Sequence, residues 1–313
     1  MPRPEIVQPY NKYMLRLRTN LLMDGRTEAT VGNIFYTLLS ITDKSMFSNL
    51  DFLKDTTKVL TKLKAISGTD STYKTHLSRV MAALGGGESY DIYKKEFDDV
   101  KARYAAHIES HEKSEAEKEK LVPWERIMEV RTKLLEECAP LVKSCLTPKQ
   151  YDKLQMLMLV MLHTEMAPRR NDYAIMDVVR TTADTGDKEM NYYVLETRKF
   201  VFNNYKTAKQ YGQQVLEVPA HVADVVESVV CKRMEGKDSV PFLINQNGTR
   251  INPNTGISRL MTKAFGTPMG CTAMRHIFLA HAFPGLLEET EKRRQVAAAM
   301  AHSMAEQLRY IKR

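Results

Sequence analysis

Near one end of this 313-residue chain, Arg275 and His276 sit inside an apolar run, Cys271-Thr-Ala-Met-Arg-His-Ile-Phe-Leu-Ala280. Met300-Ala-His302-Ser303 follows, and Tyr310 comes eight residues after His302. Together these residue types suit group transfer at a phosphodiester. A tyrosine hydroxyl attacks phosphorus, arginines neutralise charge growing on the non-bridging oxygens, a histidine hydrogen-bonds those oxygens, and a lysine protonates the departing 5′-oxygen. Arg275 within an apolar helix requires an anionic partner, because buried arginines are rare unless paired. Such a scheme needs at least one more arginine and a lysine, held on elements that bring them to the tyrosine.

The chain offers both. Ala167-Pro168-Arg169-Arg170-Asn171-Asp172 supplies two adjoining arginines, and Lys206-Thr-Ala-Lys209 lies between two strand-like runs, Lys199–Tyr205 and Gln214–Val218. Those runs read as a β-hairpin with Lys206 or Lys209 near its tip. Lys209 also reads as a solvated turn residue.

Composition supports a polyanionic partner. The net charge is +8, and about a quarter of the residues are charged, so nucleic acid is the expected ligand class. Four cysteines, Cys138, Cys145, Cys231 and Cys271, are scattered without a C-x-x-C pair or a histidine at zinc-ligand spacing. Neither a disulfide framework nor a metal site is indicated. No apolar run reaches membrane-spanning length and the N-terminus has no signal-peptide core, so a soluble intracellular protein with no membrane partner is expected.

Length favours two domains. Residues 1–48 form an N-terminal extension of unread role, with helical candidates at Tyr10–Met23 and Thr30–Ser40. Residues 49–111 are helical. Leu50, Leu53, Leu60 and Leu63 fall on one face, and Ser71–Val80 places Tyr73, Leu77 and Val80 on one face and Lys74, Ser78 and Arg79 toward another that could meet phosphates. The run 112–120 alternates in sign with almost no apolar residue and reads as a linker. Residues 121–313 restart apolar periodicity around Trp124, a core anchor, with helices at Trp124–Cys145, Lys149–Thr164, Ala220–Met234 and Asn254–Phe265 around the strand-like segments. The fold class expected is mainly α with a small antiparallel β-sheet.

The ordered set Arg169-Arg170, hairpin lysine, Arg275-His276, His302 and Tyr310 resembles the tyrosine recombinase (phage integrase) family over most of residues 50–313. It looks closest to a viral branch with Pro-Arg-Arg-Asn, Tyr-Lys-Thr and Met-x-His-Ser motifs. The resemblance implies a helical core-binding domain and an α+β catalytic domain that clamp double-stranded DNA from two faces. It also implies a homo-oligomer, a tetramer on DNA, with no metal or nucleotide cofactor, acting in the cytoplasm or nucleus of a host cell. The implied catalytic set is Arg169 or Arg170, Lys206, Thr272, Arg275, His302 and Tyr310, with Lys74, Ser78, Arg79 and Lys209 contacting DNA.

An acidic residue three positions on and an apolar one seven on select Arg169, whereas the Pro-x-Arg-Asn frame selects Arg170, toward which the reading leans. Thr272 stands where the family usually has His or Lys, and the spacing from His302 to Tyr310 is one residue short of the common nine. Only three residues follow Tyr310, short of the helix that many relatives pack onto a neighbour. His276 reads as bracing the fold through a buried hydrogen bond. Site-specific recombination through a 3′-phosphotyrosyl intermediate is the implied activity. The alternatives are type IB topoisomerase-like relaxation and a non-catalytic architectural DNA-binding protein.

Overall fold

Several helices begin where a side chain can satisfy an amide that the helix itself leaves without an acceptor. In a computed structural model, which describes residues 10–110, 121–141 and 146–310 (308–310 by backbone alone), Asn11 accepts from the Met14 amide at 2.9 Å and opens α1 (Lys12–Met23). Thr27, Asp55 and Thr69 do the same for α2 (Glu28–Ile41), α3 (Thr56–Ile66) and α4 (Asp70–Leu84). Gly85, in the left-handed region at φ 73°, closes α4, and α5 (Glu88–Glu109) follows. Leu50 and Leu53, expected on the α3 helix, belong instead to the turn that precedes it, because the Asp55 cap starts the helix later.

Two compact units divide the chain, Met1–Glu112 and Lys113–Arg313. In the first, Phe35, Leu38, Leu53, Leu63, Leu77, Val80, Tyr93 and Val100 share one core with Met14 and Leu21 of α1. The helices within residues 1–48 therefore belong to the same core as those after residue 49, and are not an appendage to it. The linker expected at 112–120 lies outside the described residues.

The second unit is built around α7 (Pro148–Thr164). A reciprocal capping box between Thr147 and Gln150, with Pro148 in the first turn, starts it. Leucine, methionine and valine on nearly every side bury it among α6 (Trp124–Cys138), α9 (Ala220–Val230), α10 (Gly256–Phe265) and α11 (Cys271–Ala282). Two further helices, α12 (Leu286–Ala299) and α13 (Met304–Tyr310), end the described chain. Among the described residues no helix is long and apolar enough to cross a membrane.

A sheet of order β4-β3-β2-β1-β5 lies beside these helices, made from β1 (Met176–Val179), β2 (Asn191–Val194), β3 (Lys199–Phe202), β4 (Gln214–Glu217) and β5 (Ser239–Pro241). The β3–β4 hairpin forms as expected, with the short helix α8 (Ala208–Tyr211) in its connection. The sheet is not wholly antiparallel, however. β1 pairs with β2 in parallel, Met176 opposite Asn191, while the other pairings are antiparallel. At four residues, β1 is too short to display a period, and Asp177 in its middle looks unlike a strand until Arg250 binds its carboxylate at 2.6 Å. One face presents Met176, Val178, Tyr193, Phe200 and Phe202 to the helical core. Val179, Tyr192, Val194 and Val201 pack together in a separate small cluster.

Candidate functional site

The two adjoining arginines meet different fates. After α7 ends, Arg169 turns inward. Its Nε lies 2.9 Å from the Asp172 carboxylate and its Nη1 2.6 Å from the Gln214 carboxamide oxygen, while the guanidinium sits 3.9 Å from the Phe202 ring centre and 4.9 Å from that of Tyr205. Two of its five donors and its planar surface are thereby committed to joining the loop to β3 and β4. Arg170 points to solvent and, among the described residues, makes no ion pair or hydrogen bond, so its guanidinium is open to an external anion.

Lys206 follows β3 on a segment whose backbone is fastened by the buried Asn191 and whose Tyr205 hydroxyl donates to the Gly212 carbonyl at 2.7 Å. The lysine is exposed and faces the same space as Arg170. Lys209, on α8, is also exposed but does not border that space.

The space is an open cleft of about 830 Å³ at the first turn of α11, where Arg170, Lys206, Thr272, His276, Asn171 and Ser258 meet. Gly270 precedes the helix and no side chain caps it, so the first-turn amides and the positive end of the helix dipole face outward. A Cβ at Gly270 would stand 3.1 Å from the Ser258 hydroxyl oxygen, so a larger residue would push Ser258 aside and intrude on this entrance. Among the described residues Asp172 is the one carboxylate lining the cleft, and Arg169 pairs with it. The Cys271 thiol is pushed up to about 12, first by burial and then by Asp172, and donates to Asn171 at 3.4 Å. It stays neutral and is no nucleophile. What remains is a positively polarised cavity with one guanidinium, one ammonium, a hydroxyl, an imidazole and open amides, a set that suits a phosphate group.

No family model and no curated protein matches the chain.

His276 is a correction to the sequence reading. It is exposed, makes no hydrogen bond among the described residues, and lines the cleft rather than bracing the fold. The signal was available, because His276 lies one helical turn beyond Thr272 and so shares its face. Arg275 also departs from expectation. It is half-buried, has no anionic partner among the described residues, and does not border the cleft.

His302 is half-buried just after α12. The chain turns there through Ala301, at φ 55°, with the His302 amide donating to the Ala297 carbonyl at 2.8 Å and the Ala301 amide to that of Ala298 at 3.0 Å. This paired arrangement usually relies on glycine. Ser303 then accepts from the Glu306 amide at 3.1 Å and opens α13, which carries Tyr310. The Tyr310 side chain lies outside the described residues.

In the first unit, Lys74 rests 4.0 Å from the centre of the Tyr104 ring, Ser78 is exposed, and Arg79 donates to the Thr37 hydroxyl at 3.3 Å. His76 bonds that same hydroxyl at 3.0 Å, and its pKa is held below the usual histidine value by burial and then by Arg79. Among the described residues no three histidine, cysteine, aspartate or glutamate side chains converge as a metal site.

Proposed function

We propose that the chain is a tyrosine-type DNA strand transferase, a recombinase or integrase, which cleaves and rejoins duplex DNA through a 3′-phosphotyrosyl intermediate. The observation that carries this reading is the cleft. Residues distant in sequence, Arg170, Lys206, Thr272 and His276, line one cavity at an uncapped helix start, and each is of a type that phosphoryl transfer uses.

In this reading Arg170, the α11 amides and the Thr272 hydroxyl hold the non-bridging oxygens, with Arg275 and His302 completing the set when DNA is bound. Tyr310 Oη gives up its proton to solvent and forms a bond to phosphorus as the bond to the 5′-oxygen breaks, and Lys206 supplies that oxygen with a proton. A free 5′-hydroxyl reverses the step, so bond energy is kept without a nucleotide cofactor. Thr272 can donate a hydrogen bond but brings no charge, which places more of the electrostatic stabilisation on Arg170 and Lys206. The helical first unit, with Lys74, Ser78 and Arg79 on one helix, serves as the second half of a DNA clamp, and tetramers on paired sites are the working assembly.

The experiment is a trap. On a duplex nicked so that the 5′-hydroxyl fragment diffuses away, the protein becomes linked to the 3′-phosphate, and peptide mapping locates the link on Tyr310. An adduct mapped to any other residue overturns the assignment. Absence of an adduct on every duplex that the protein binds overturns the reading as a whole.

A further inference from the structure

We propose that Asn191 is a positioning residue that sets Lys206 against Arg170 by fastening the segment carrying the lysine to the segment carrying the arginines through a single buried carboxamide. The inference rests on the strand-transfer reading above.

Asn191 begins β2 and is fully buried. Its Nδ2 donates to the Asp172 carbonyl at 2.9 Å and to the Asn204 carbonyl at 2.9 Å. Its Oδ1 accepts from the Asn203 amide at 3.0 Å and the Asn204 amide at 2.9 Å. Two donated and two accepted bonds exhaust the capacity of a carboxamide, and they also dictate which way it points. Asp172 stands two residues after Arg170, and Asn204 two residues before Lys206, so the amide joins the two cationic segments close to both charges.

The backbone needs this partner. β3 ends at Phe202, and beyond it the Asn203 and Asn204 amides have left the sheet ladder while still partly buried, facing the fully buried Asn191 carboxamide. A buried amide without an acceptor is costly, so without Asn191 the segment would shift until water reached it. The side chains of Asn203 and Asn204 fasten the same segment to the Met190 carbonyl at 3.0 Å and the Glu189 carbonyl at 2.9 Å. Asn203 also bonds the Asp187 carbonyl and Gln213, and the Arg169 guanidinium lies over the Phe202 and Tyr205 rings, but the hydrogen bond that ties this segment's anchor to the backbone of the arginine segment is the one Asn191 makes to Asp172. A general acid acts only within hydrogen-bond reach of the leaving oxygen, and a misplacement of about 1 Å can cost on the order of a hundredfold in rate.

The test separates placement of the lysine from general loosening of the fold. Adduct formation is timed on two nicked duplexes, one with the natural 5′-oxygen at the scissile phosphate and one with sulfur in that bridging position. Sulfur leaves as a thiolate without needing a proton, because a thiol is far more acidic than an alcohol, so the sulfur substrate does not sense where Lys206 lies.

Asn191→Asp keeps the shape and removes both donors. It should slow adduct formation on the oxygen duplex by on the order of a hundredfold, while staying within about tenfold of the wild type on the sulfur duplex. Lys206→Ala should give the same pattern. Asn191→Ser, which introduces no charge, makes the same comparison should the aspartate not fold. Equal losses on both duplexes, or no loss on either, overturn the inference while leaving the strand-transfer reading standing. No adduct from the wild-type protein on either duplex removes both.

Discussion

Around the cleft the anchoring groups are spent on fixed geometry. Asn191 uses all four of its hydrogen bonds, Arg169 is held by Asp172, Gln214 and two rings, and the strands that carry these groups pack into the helical core. The helices leading to His302 and Tyr310 are built differently. Along α12, Ala297 is the buried residue, while Leu286, Leu287 and Val296 stand about half exposed. A side-chain tie between the two helices runs from Gln307 to the Arg293 carbonyl, at 3.0 Å.

Burial and satisfied polar groups raise the cost of local opening, and their scarcity lowers it. The cleft wall is therefore preorganised, while the helices after it are held by fewer buried contacts; on the proposed reading, DNA or another protomer would place the segment that carries Tyr310. On the strand-transfer proposal, such a division would keep the attacking group harmless until a substrate is seated.

The sharpest way to break this contrast is to remove the hydroxyl that the proposed reading makes the nucleophile. Tyr310→Phe should reduce the trapped adduct below detection while duplex affinity changes by about twofold or less, because a single oxygen is lost. An adduct that survives would place the chemistry elsewhere and leave the exposed helices without a role.

The adjoining arginines give the next largest effect, and in opposite currencies. Arg170→Ala should lower adduct formation by on the order of a hundredfold or more with melting temperature unchanged, because its exposed guanidinium makes no hydrogen bond or ion pair among the described residues. Arg169→Ala should lower stability by on the order of 2 kcal/mol, since Asp172 and Gln214 lose their partner. Reversed results, read by calorimetry beside the trap assay, would exchange the two assignments.

Acid should weaken both units. Burial holds His76 and His163 below the ordinary histidine value of 6.5, with Arg79 adding to the effect at His76. Below that pH the unfolded chain binds protons that the folded chain resists, so stability is full above about pH 6.5 and declines as pH falls below it. Thermal melts from pH 7.5 to 5.5 should show this slope, and His76→Gln should flatten it for the first unit. A slope unchanged in that variant would place the titrating group elsewhere.

The smallest effect belongs to the turn before His302. Ala301→Gly removes a left-handed strain and should slow amide exchange across 296–302, by about 1 kcal/mol or less in opening free energy. Unchanged exchange would mean that this turn already opens at no cost.

Much of this molecule was legible because it depends on short windows of chain. The α4 face of Tyr73, Leu77 and Val80 and the β3–β4 hairpin each follow from local preference and a period that a few residues reveal, whereas the helix expected from Lys149 starts one residue earlier, at Pro148 behind the Thr147 cap. The residue types for phosphoryl transfer were equally plain, as was the basic charge. β1 was not legible, because four residues carry no period and Asp177 finds its partner Arg250 only 73 positions away.

The amino-acid sequence alone thus determined most of the helices, the charge and the inventory of chemically able side chains. Tertiary structure alone decided which of them share a cavity. Arg169 turned inward because Gln214, 45 residues on, and the Phe202 ring were there to receive it, and that left Arg170 to the cleft. Asn191 became a joint, and His276 faced solvent, for the same physical reason. Local preference acts over one or two turns of chain, whereas burial and the pairing of polar groups are settled by whatever distant segment folding brings alongside.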